Sequence, residues 1–414
     1  MLEGGVSETW GAFATGAVLT AWALQLGADP STIALLQGLS TGAQILHGPA
    51  GFVTEWVGRK RLAIVALAAA RLAWAPMAAL PLLGLSASEA TTLLVAVAAL
   101  SATLQVLGQN AWGAWMGDVV PPTLRGRFFG ARTVFVTGGA AMASLACALL
   151  LESELPREIS LPAIAALLCV TGLVSAGLLA QQIDPLSRVP RTPPDPRAYG
   201  EAARDPRART LFLYQLAWGA AIAPGAAFFS LYVLDSLHAG FFLLAAHAIV
   251  IALTRVATAR LWGRAVDRWG ARPVLAICSV GISMMPALWV ITAPDRLWPL
   301  ALDAVLSGLW WGGHGVASFD LPLTIAPARR RSYYLALFAM ASGVGFAAST
   351  MVAGVAADWL SAHAGGDLRA LFVASAVLRA SCALLAARVH EPEASSVRSM
   401  IGGLRRRGAD LRAG

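Results

Sequence analysis

Long stretches free of Asp, Glu, Lys and Arg recur along the whole chain. Uninterrupted ones cover Thr9–Ala28, Pro30–Thr54, Ala90–Gly117, Thr133–Leu151, Ile159–Ile183, Thr210–Leu234, Ser236–Thr254, Pro273–Pro294 and Ser332–Ala357. Three more are broken by charges: Leu62–Gly84 by Arg71, Leu297–Pro327 by Asp303 and Asp320, and Leu368–Val389 by Arg369 and Arg379, with Arg388 at its end. Crossing hydrocarbon takes roughly 20 apolar residues as a helix. The runs are continuously apolar, not alternating segments of about ten, which predicts helices instead of barrel strands. The pattern predicts an all-α membrane protein of twelve transmembrane helices, numbered here as spans 1 to 12.

One long polar segment, Asp184 to Arg209, is rich in Pro and Arg and places six spans on each side. The predicted organisation is an N-terminal six-helix bundle (1–183), a linker (184–209), a C-terminal six-helix bundle (210–390) and a basic tail (391–414). An internal repeat supports the division. Gly51-Phe52-Val53-Thr54-Glu55-Trp56-Val57-Gly58-Arg59-Lys60 follows span 2, and Gly263-Arg264-Ala265-Val266-Asp267-Arg268-Trp269-Gly270-Ala271-Arg272 follows span 8. A second echo pairs Pro122-Thr123-Leu124-Arg125-Gly126-Arg127-Phe128-Phe129 after span 4 with Pro327-Ala328-Arg329-Arg330-Arg331-Ser332-Tyr333-Tyr334 after span 10. Two same-topology bundles from a duplicated unit are the parallel-repeat plan of many secondary transporters.

Composition sharpens this. Of 414 residues, 57% are hydrophobic and 13% charged, about half the charge of a soluble domain. A cytosolic enzyme, a secreted disulfide scaffold and a disordered tail are excluded. The net charge of +8 would suit nucleic acid, but its distribution does not. With both termini cytoplasmic, 25 of the 31 basic residues fall in inner loops and tail and three outside, a positive-inside asymmetry that predicts orientation and leaves no basic stripe for nucleic acid. No basic segment precedes the first apolar run, which reads as a retained span. Cys147, Cys169, Cys278 and Cys382 each lie alone among apolar residues and read as core. Met284-Met285 also reads as core; no metal site and no cofactor are expected.

The Gly-x-x-x-acid-x-x-Gly-Arg-Lys loop and its copy resemble the signature of the major facilitator superfamily, with Glu55 where the family usually has Asp and Ala271 where a basic residue is common. Pro121-Pro122…Arg125-Gly126-Arg127-Phe128-Phe129-Gly130 resembles a bacterial branch of it. The resemblance implies that spans 1, 4, 7 and 10 line a central cavity. It also implies that the loop residues Gly51, Glu55, Gly58, Arg59, Arg125, Arg127, Gly263, Asp267, Gly270 and Arg272 form a cytoplasmic gate. Glu55 is expected to pair with Arg59, Arg125 or Arg127, and Asp267 with Arg268 or Arg272. Arg329, Arg330 and Arg331 are expected to be orientation signals touching lipid phosphate.

Charge at bilayer depth is costly, so Arg71, Arg255, Arg379, Asp303 and Asp320 must be paired or line a cavity. Span 10 is the most loaded, with Asp303, Trp310, Trp311, His314 and Asp320 beside the glycines 312, 313 and 315. Asp303 and His314 are spaced to share a face, with Trp310 one turn from His314. Span 8 offers His247 and Arg255; span 4 offers Gln105, Gln109, Asn110 and Trp112; span 2 offers Gln37, Gln44 and His47; span 7 offers Gln215 and Trp218. Mid-membrane Gln and Asn often serve as interhelical glue, and Arg379 is expected to pair or snorkel. His47 beside Gly48-Pro49 reads equally as a residue satisfying a kink.

The sequence carries no P-loop and no His-Glu-x-x-His, so neither an enzyme nor an ATP-driven pump is expected. The expectation is a monomeric multi-pass transporter in the cell membrane, in contact with lipids. It would move a small molecule by alternating access, coupled to protons through the acids of span 10. The alternatives are an uncoupled facilitator or exchanger of the same fold, and a transport-dead receptor or scaffold.

Overall fold

The computed structural model describes residues 2–400 apart from 15, 29–31, 33–34, 37–38, 40–42, 185–194, 239, 364–366, 392–393 and 397–398. Helices occupy the apolar runs. Span 1 is built from Thr9–Ala14 and Gly16–Gln25, preceded by a short helix Leu2–Ser7. Span 2 is described from Ala43 and ends as His47–Val57; Gln37 lies outside the described residues. Span 3 is Arg59–Leu72 followed by the short turns Ala75–Ala78 and Leu80–Leu83. Spans 4, 5 and 6 are Ala87–Val119, Arg125–Glu152 and Arg157–Ala180. In the second half, span 7 is Pro206–Leu231, span 8 Gly240–Trp269 and span 9 Ala271–Val290. Spans 10, 11 and 12 are Trp298–Ile325, Arg331–His363 and Arg369–Arg388.

The helices outrun the charge-free stretches. Span 5 begins at Arg125 instead of Thr133, and span 8 continues to Trp269 past Thr254. A charge ends the apolar pattern without ending the backbone hydrogen-bond ladder, so basic helix ends project beyond the hydrocarbon. Among the described residues, seven helices (spans 3, 4, 5, 6, 9, 11 and 12) are long and apolar enough to cross a membrane. Span 10 is not among them, because its glycines, tryptophans, histidine and two aspartates lower its hydropathy.

The repeated loops share one backbone device. Gly58 has φ +99° and joins span 2 to span 3; Gly270 has φ +92° and joins span 8 to span 9. Only glycine takes this region without a Cβ penalty, so each loop reverses the chain with no intervening residues.

Contacts divide the chain into two compact units. Unit 1 holds Met1–Val119, Val134–Ala198 and Ala328–Ala336. Unit 2 holds Val120–Thr133, Tyr199–Pro327 and Leu337–Gly414. The same helix pairs recur inside both: 2 with 4 and 8 with 10, 3 with 4 and 9 with 10, 3 with 6 and 9 with 12, 1 with 6 and 7 with 12. The sequence repeat is thus a repeat of packing. Unit 1 has a core of Phe13, Trp22, Trp74, Leu94, Leu161 and their neighbours; one cluster in unit 2 gathers around Tyr232, Leu300 and Phe372.

Apolar side chains also face outward, as lipid contact allows. Met351, Val352, Val355 and Trp359 of span 11 are 58–75% exposed. Met285 is buried but Met284 is 63% exposed, so the pair is only half core. Cys147, Cys278 and Cys382 are buried and Cys169 half-buried.

Small residues set the closest approaches, as expected where lipid supplies no hydrophobic drive between helices. In unit 2, a Cβ on Gly345 or Gly219 would run into the Leu216 or Ser342 carbonyl, so spans 7 and 11 touch through backbone. Gly345→Val is expected to cost about 1–3 kcal/mol through overpacking and to lower the unfolding temperature of the purified protein; an unchanged transition would contradict this contact.

Candidate functional site

In unit 1 the loop after span 2 organises a buried ion cluster. Arg59 opens span 3 immediately after Gly58, so its guanidinium turns back onto the end of span 2. It donates to Glu55 Oε1 at 2.9 and 3.1 Å, to Asp118 Oδ2 at 2.8 Å and to the Ala328 carbonyl at 2.7 Å. Asp118, at the end of span 4, also takes the Arg331 guanidinium on its other oxygen. All three side chains are at most 8% exposed. Gly117 makes room, since a Cβ there would meet the Arg331 side chain. One turn deeper, Thr54 donates to Asn110 Oδ1 at 2.9 Å, and Asn110 donates to the Ser332 carbonyl at 3.2 Å.

Unit 2 answers with different partners. Asp267 Oδ2 accepts from the Arg127 backbone N–H at 3.0 Å and its Nε at 3.1 Å. Gly126 and Gly130 bring the start of span 5 against Gly263 and Ala259 of span 8; a Cβ on Gly130 would lie 2.6 Å from the Ala259 carbonyl. The N-terminus of span 9 is capped by Glu391, which accepts from the Ala271 and Arg272 amides at 2.9 and 2.6 Å, a favourable place for a carboxylate. Arg272 donates to the carbonyls of Ala394 and Ser395. Burial pushes the Asp267 and Glu391 carboxyls above the usual carboxylate range, against the lowering effect of the amides they accept from.

Glu55 meets Arg59, one of the partners expected, and the expectations for Asp267 and Arg331 are corrected. Asp267 meets Arg127 instead of Arg268 or Arg272; Arg268 lies over the Trp269 ring. Arg125 donates to the Val120 carbonyl and Thr324 Oγ1. Arg331 belongs to the ion cluster and is not a lipid-facing orientation signal. A helix continuing through the loop carries it inward, which charge counting does not register.

At depth in unit 1, Arg71 is fully buried and donates to the Leu67 carbonyl at 2.6 Å, Gln105 Oε1 at 3.2 Å and Ser7 at 2.7 and 3.0 Å. Glu3 and Glu8 supply its opposite charge. Ser101 accepts from both Trp10 and Trp74. Gln105 is thus glue, Gln109 is exposed, Trp112 is 8% exposed, and His47 is buried beside half-buried Gln44.

Unit 2 holds the titratable centres. His247 Nε2 and Asp303 Oδ2 are 2.7 Å apart, and Ser307 donates to Asp303 Oδ1 at 3.1 Å. Asp303 is fully buried, with Arg379 as a further electrostatic partner. Arg379, 6% exposed, donates to the Ile222 carbonyl. His314 Nε2 shares a 2.8 Å bond with the Tyr214 hydroxyl, itself 3.0 Å from Ser279 Oγ, while Ser318 Oγ lies 3.1 Å from His314 Nδ1. Trp218 stacks on the imidazole at 4.7 Å, and Trp311 meets it edge-on at 5.3 Å. Arg255 is half-buried and close enough to act on the charge of His314. Asp320, 6% exposed, has Arg125 as its electrostatic partner and leaves Oδ1 without a hydrogen bond.

Asp303 and His314 therefore take partners from different helices, span 8 for one and span 7 for the other. Trp310 does not join His314. Its ring lies against Gly281, where a Cβ would collide, and near Trp262. Trp311 takes the place expected of Trp310. Gln215 is half-buried. Asp118, Tyr214, Ser279, Ser318 and Glu391 were not anticipated. The four-residue interval from Tyr214 to Trp218 is the one pattern that marked any of them.

The family model of the Major Facilitator Superfamily matches residues 4–347 and again 226–408. The chain belongs to the major facilitator superfamily. No curated protein matches it by sequence. The fold is similar to that of the fucose:proton symporter FucP of E. coli, with a TM-score of 0.75 at 16% identity over 94% of this chain and 98% of that one. It is also similar to the proton:xylose symporter XylE (TM-score 0.73, 14% identity, 97% of each chain). The human organic anion transporter MFSD10 gives 0.72 at 16% identity over 93% and 97%. Membership makes the chain an integral membrane protein with the twelve-helix fold of secondary transporters; the family binds small-molecule substrates and implies a transporter rather than an enzyme.

Within this superfamily member, the two loop clusters differ in how much charge they bury. Asp118→Ala would remove the carboxylate that two buried arginines share and is expected to cost about 3 kcal/mol. Arg127 is 65% exposed, so Arg127→Ala is expected to cost under about 1 kcal/mol. Asp267→Ala, which also orphans a backbone N–H, should cost more than Arg127→Ala. Thermal unfolding of the three variants checks this order; equal losses would refute it.

Proposed function

We propose that the chain is a secondary active transporter that moves a small solute by alternating access and is driven by protons held on the acids of span 10. The observation that carries the coupling is the His247–Asp303 pair: a fully buried carboxylate against an imidazole at 2.7 Å. Charge at such depth is expensive, and a pair that can hold or release one proton changes its net charge without moving its backbone. Asp320, with one oxygen lacking a hydrogen bond, is a second acceptor on the same helix. The Glu55–Arg59–Asp118–Arg331 cluster is proposed as the cytoplasmic gate, since breaking it exposes four charges that are satisfied together or not at all. On this reading the protein is a monomer in the cell membrane with both termini cytoplasmic, and the fucose and xylose symporters similar to it in fold are relatives in mechanism class.

The test is uptake into proteoliposomes from a panel of organic acids, sugars, amino acids and drugs, with and without an inward proton gradient. Gradient-driven uptake is expected to fall about tenfold or more in Asp303→Asn, with solute exchange at zero gradient retained. Asp320→Asn is expected to show the same split. Uptake indifferent to the gradient and to both substitutions would overturn coupling and leave an uncoupled carrier. A folded wild type that moves nothing in the panel would favour a receptor or scaffold.

A further inference from the structure

Unit 2 contains one intramembrane cation that the rest of the structure does not neutralise. The two acids of span 10 are committed elsewhere, Asp303 to His247 and Arg379, and Asp320 to Arg125. Among the described residues no carboxylate acts on Arg255, its Nε is buried without a partner, and no side-chain hydrogen bond engages its guanidinium. Its stem lies over Gly312, where a Cβ would come within 3.6 Å of Cγ. Arg255 directly follows the charge-free stretch Ser236–Thr254, 14 residues before the helix ends at Trp269.

Beside it stands a ready-made shelf. His314, on which the Arg255 charge acts, is stacked with Trp218 and flanked by Trp311. The buried Trp218 Nε1–H has no acceptor, and Gln215 lies one turn before it on the same helix. An unpaired cation and an unpaired indole donor near each other would each cost stability in an empty protein. One ligand satisfies both.

We propose that Arg255 anchors an organic monoanion, a carboxylate or sulfonate with an apolar or aromatic body, whose charge pairs with the guanidinium while its body packs against the half-buried Trp311. This names the substrate class of the transporter proposed above and rests on that reading. The Arg255 fork suits a planar carboxylate with two parallel bonds, and the Trp218 N–H and His314–Tyr214 pair supply the remaining polar contacts. Asp303 is left free to carry the proton, so the anion and its driving ion occupy separate residues.

The test uses the purified full-length protein in zwitterionic phosphatidylcholine nanodiscs, where no anionic headgroup competes. Benzoate, indole-3-acetate and hexanoate are each titrated beside the matching primary amide, with tryptophan fluorescence and thermal unfolding as readouts. At least one acid is expected to bind while its amide does not. Arg255→Gln is expected to weaken that binding about tenfold or more, with Arg255→Lys intermediate. Without ligand, Arg255→Gln should unfold at a higher temperature than the wild type, the reverse of what losing a structural partner would do. The proposal is overturned if acids and amides shift the protein alike, if no acid binds the folded wild type, or if Arg255→Gln binds as well as the wild type. Loss of acid binding on adding phosphatidylglycerol would assign the cation to a lipid headgroup and overturn it as well. Proton-driven uptake is scored separately, so failure here leaves the transporter reading standing, and an anion that binds without crossing counts against transport and not against the site.

Discussion

The cost of placing charge in hydrocarbon governs this molecule more than any packing preference. With so few charged residues, each one that lies at depth must be answered by a partner, and those answers tie the helices together. Arg71 binds the N-terminal segment to spans 3 and 4 through Ser7, Gln105, Glu3 and Glu8. Asp118 joins two buried arginines. Asp303 joins spans 8 and 10 through His247. Apolar surface alone could not specify these contacts, because lipid is as good a solvent for leucine as a neighbouring helix is. Polar partners and glycine-to-backbone contacts provide the register.

Much of this was legible in the sequence. The charge-free runs located the helices because hydrocarbon tolerates no others, and the twin glycine loops located the repeat because a positive φ at Gly58 and Gly270 demands glycine. The superfamily followed from the placement of those loops. The partners were harder to read. Asp118 lies at the end of a long apolar run with no motif around it, and Arg331 looked like one of three orientation arginines. Their meeting is a consequence of tertiary folding between segments more than 200 residues apart, which periodicity on one helix does not encode. The same limit explains Trp310 and Trp311. Both lie within a turn of His314, and the absence of a side chain at Gly281, on another helix, draws the ring of Trp310 away.

The two units share a packing plan but spend their polar residues differently. In unit 1, Arg71, Ser101, Asn110 and the loop cluster bond largely to one another, while Trp22, His47, Arg71 and Ser160 each keep a buried polar atom without a hydrogen bond. In unit 2 the equivalent helices keep titratable groups, His247, Asp303, His314 and Asp320, and retain donors and acceptors with no partner, on Arg255, Trp218 and Asp320. The units differ less in how many buried polar atoms go unbonded than in what lies around them: Trp218 and Arg255 of unit 2 flank the titratable His314. Unsatisfied groups at depth are the costliest feature a membrane protein can carry, and they are tolerable where a solute or a proton completes them for part of each cycle. On the proposed reading the proton and the solute are therefore held in unit 2, on the faces of spans 7, 8 and 10 that present Trp218, Arg255 and His314.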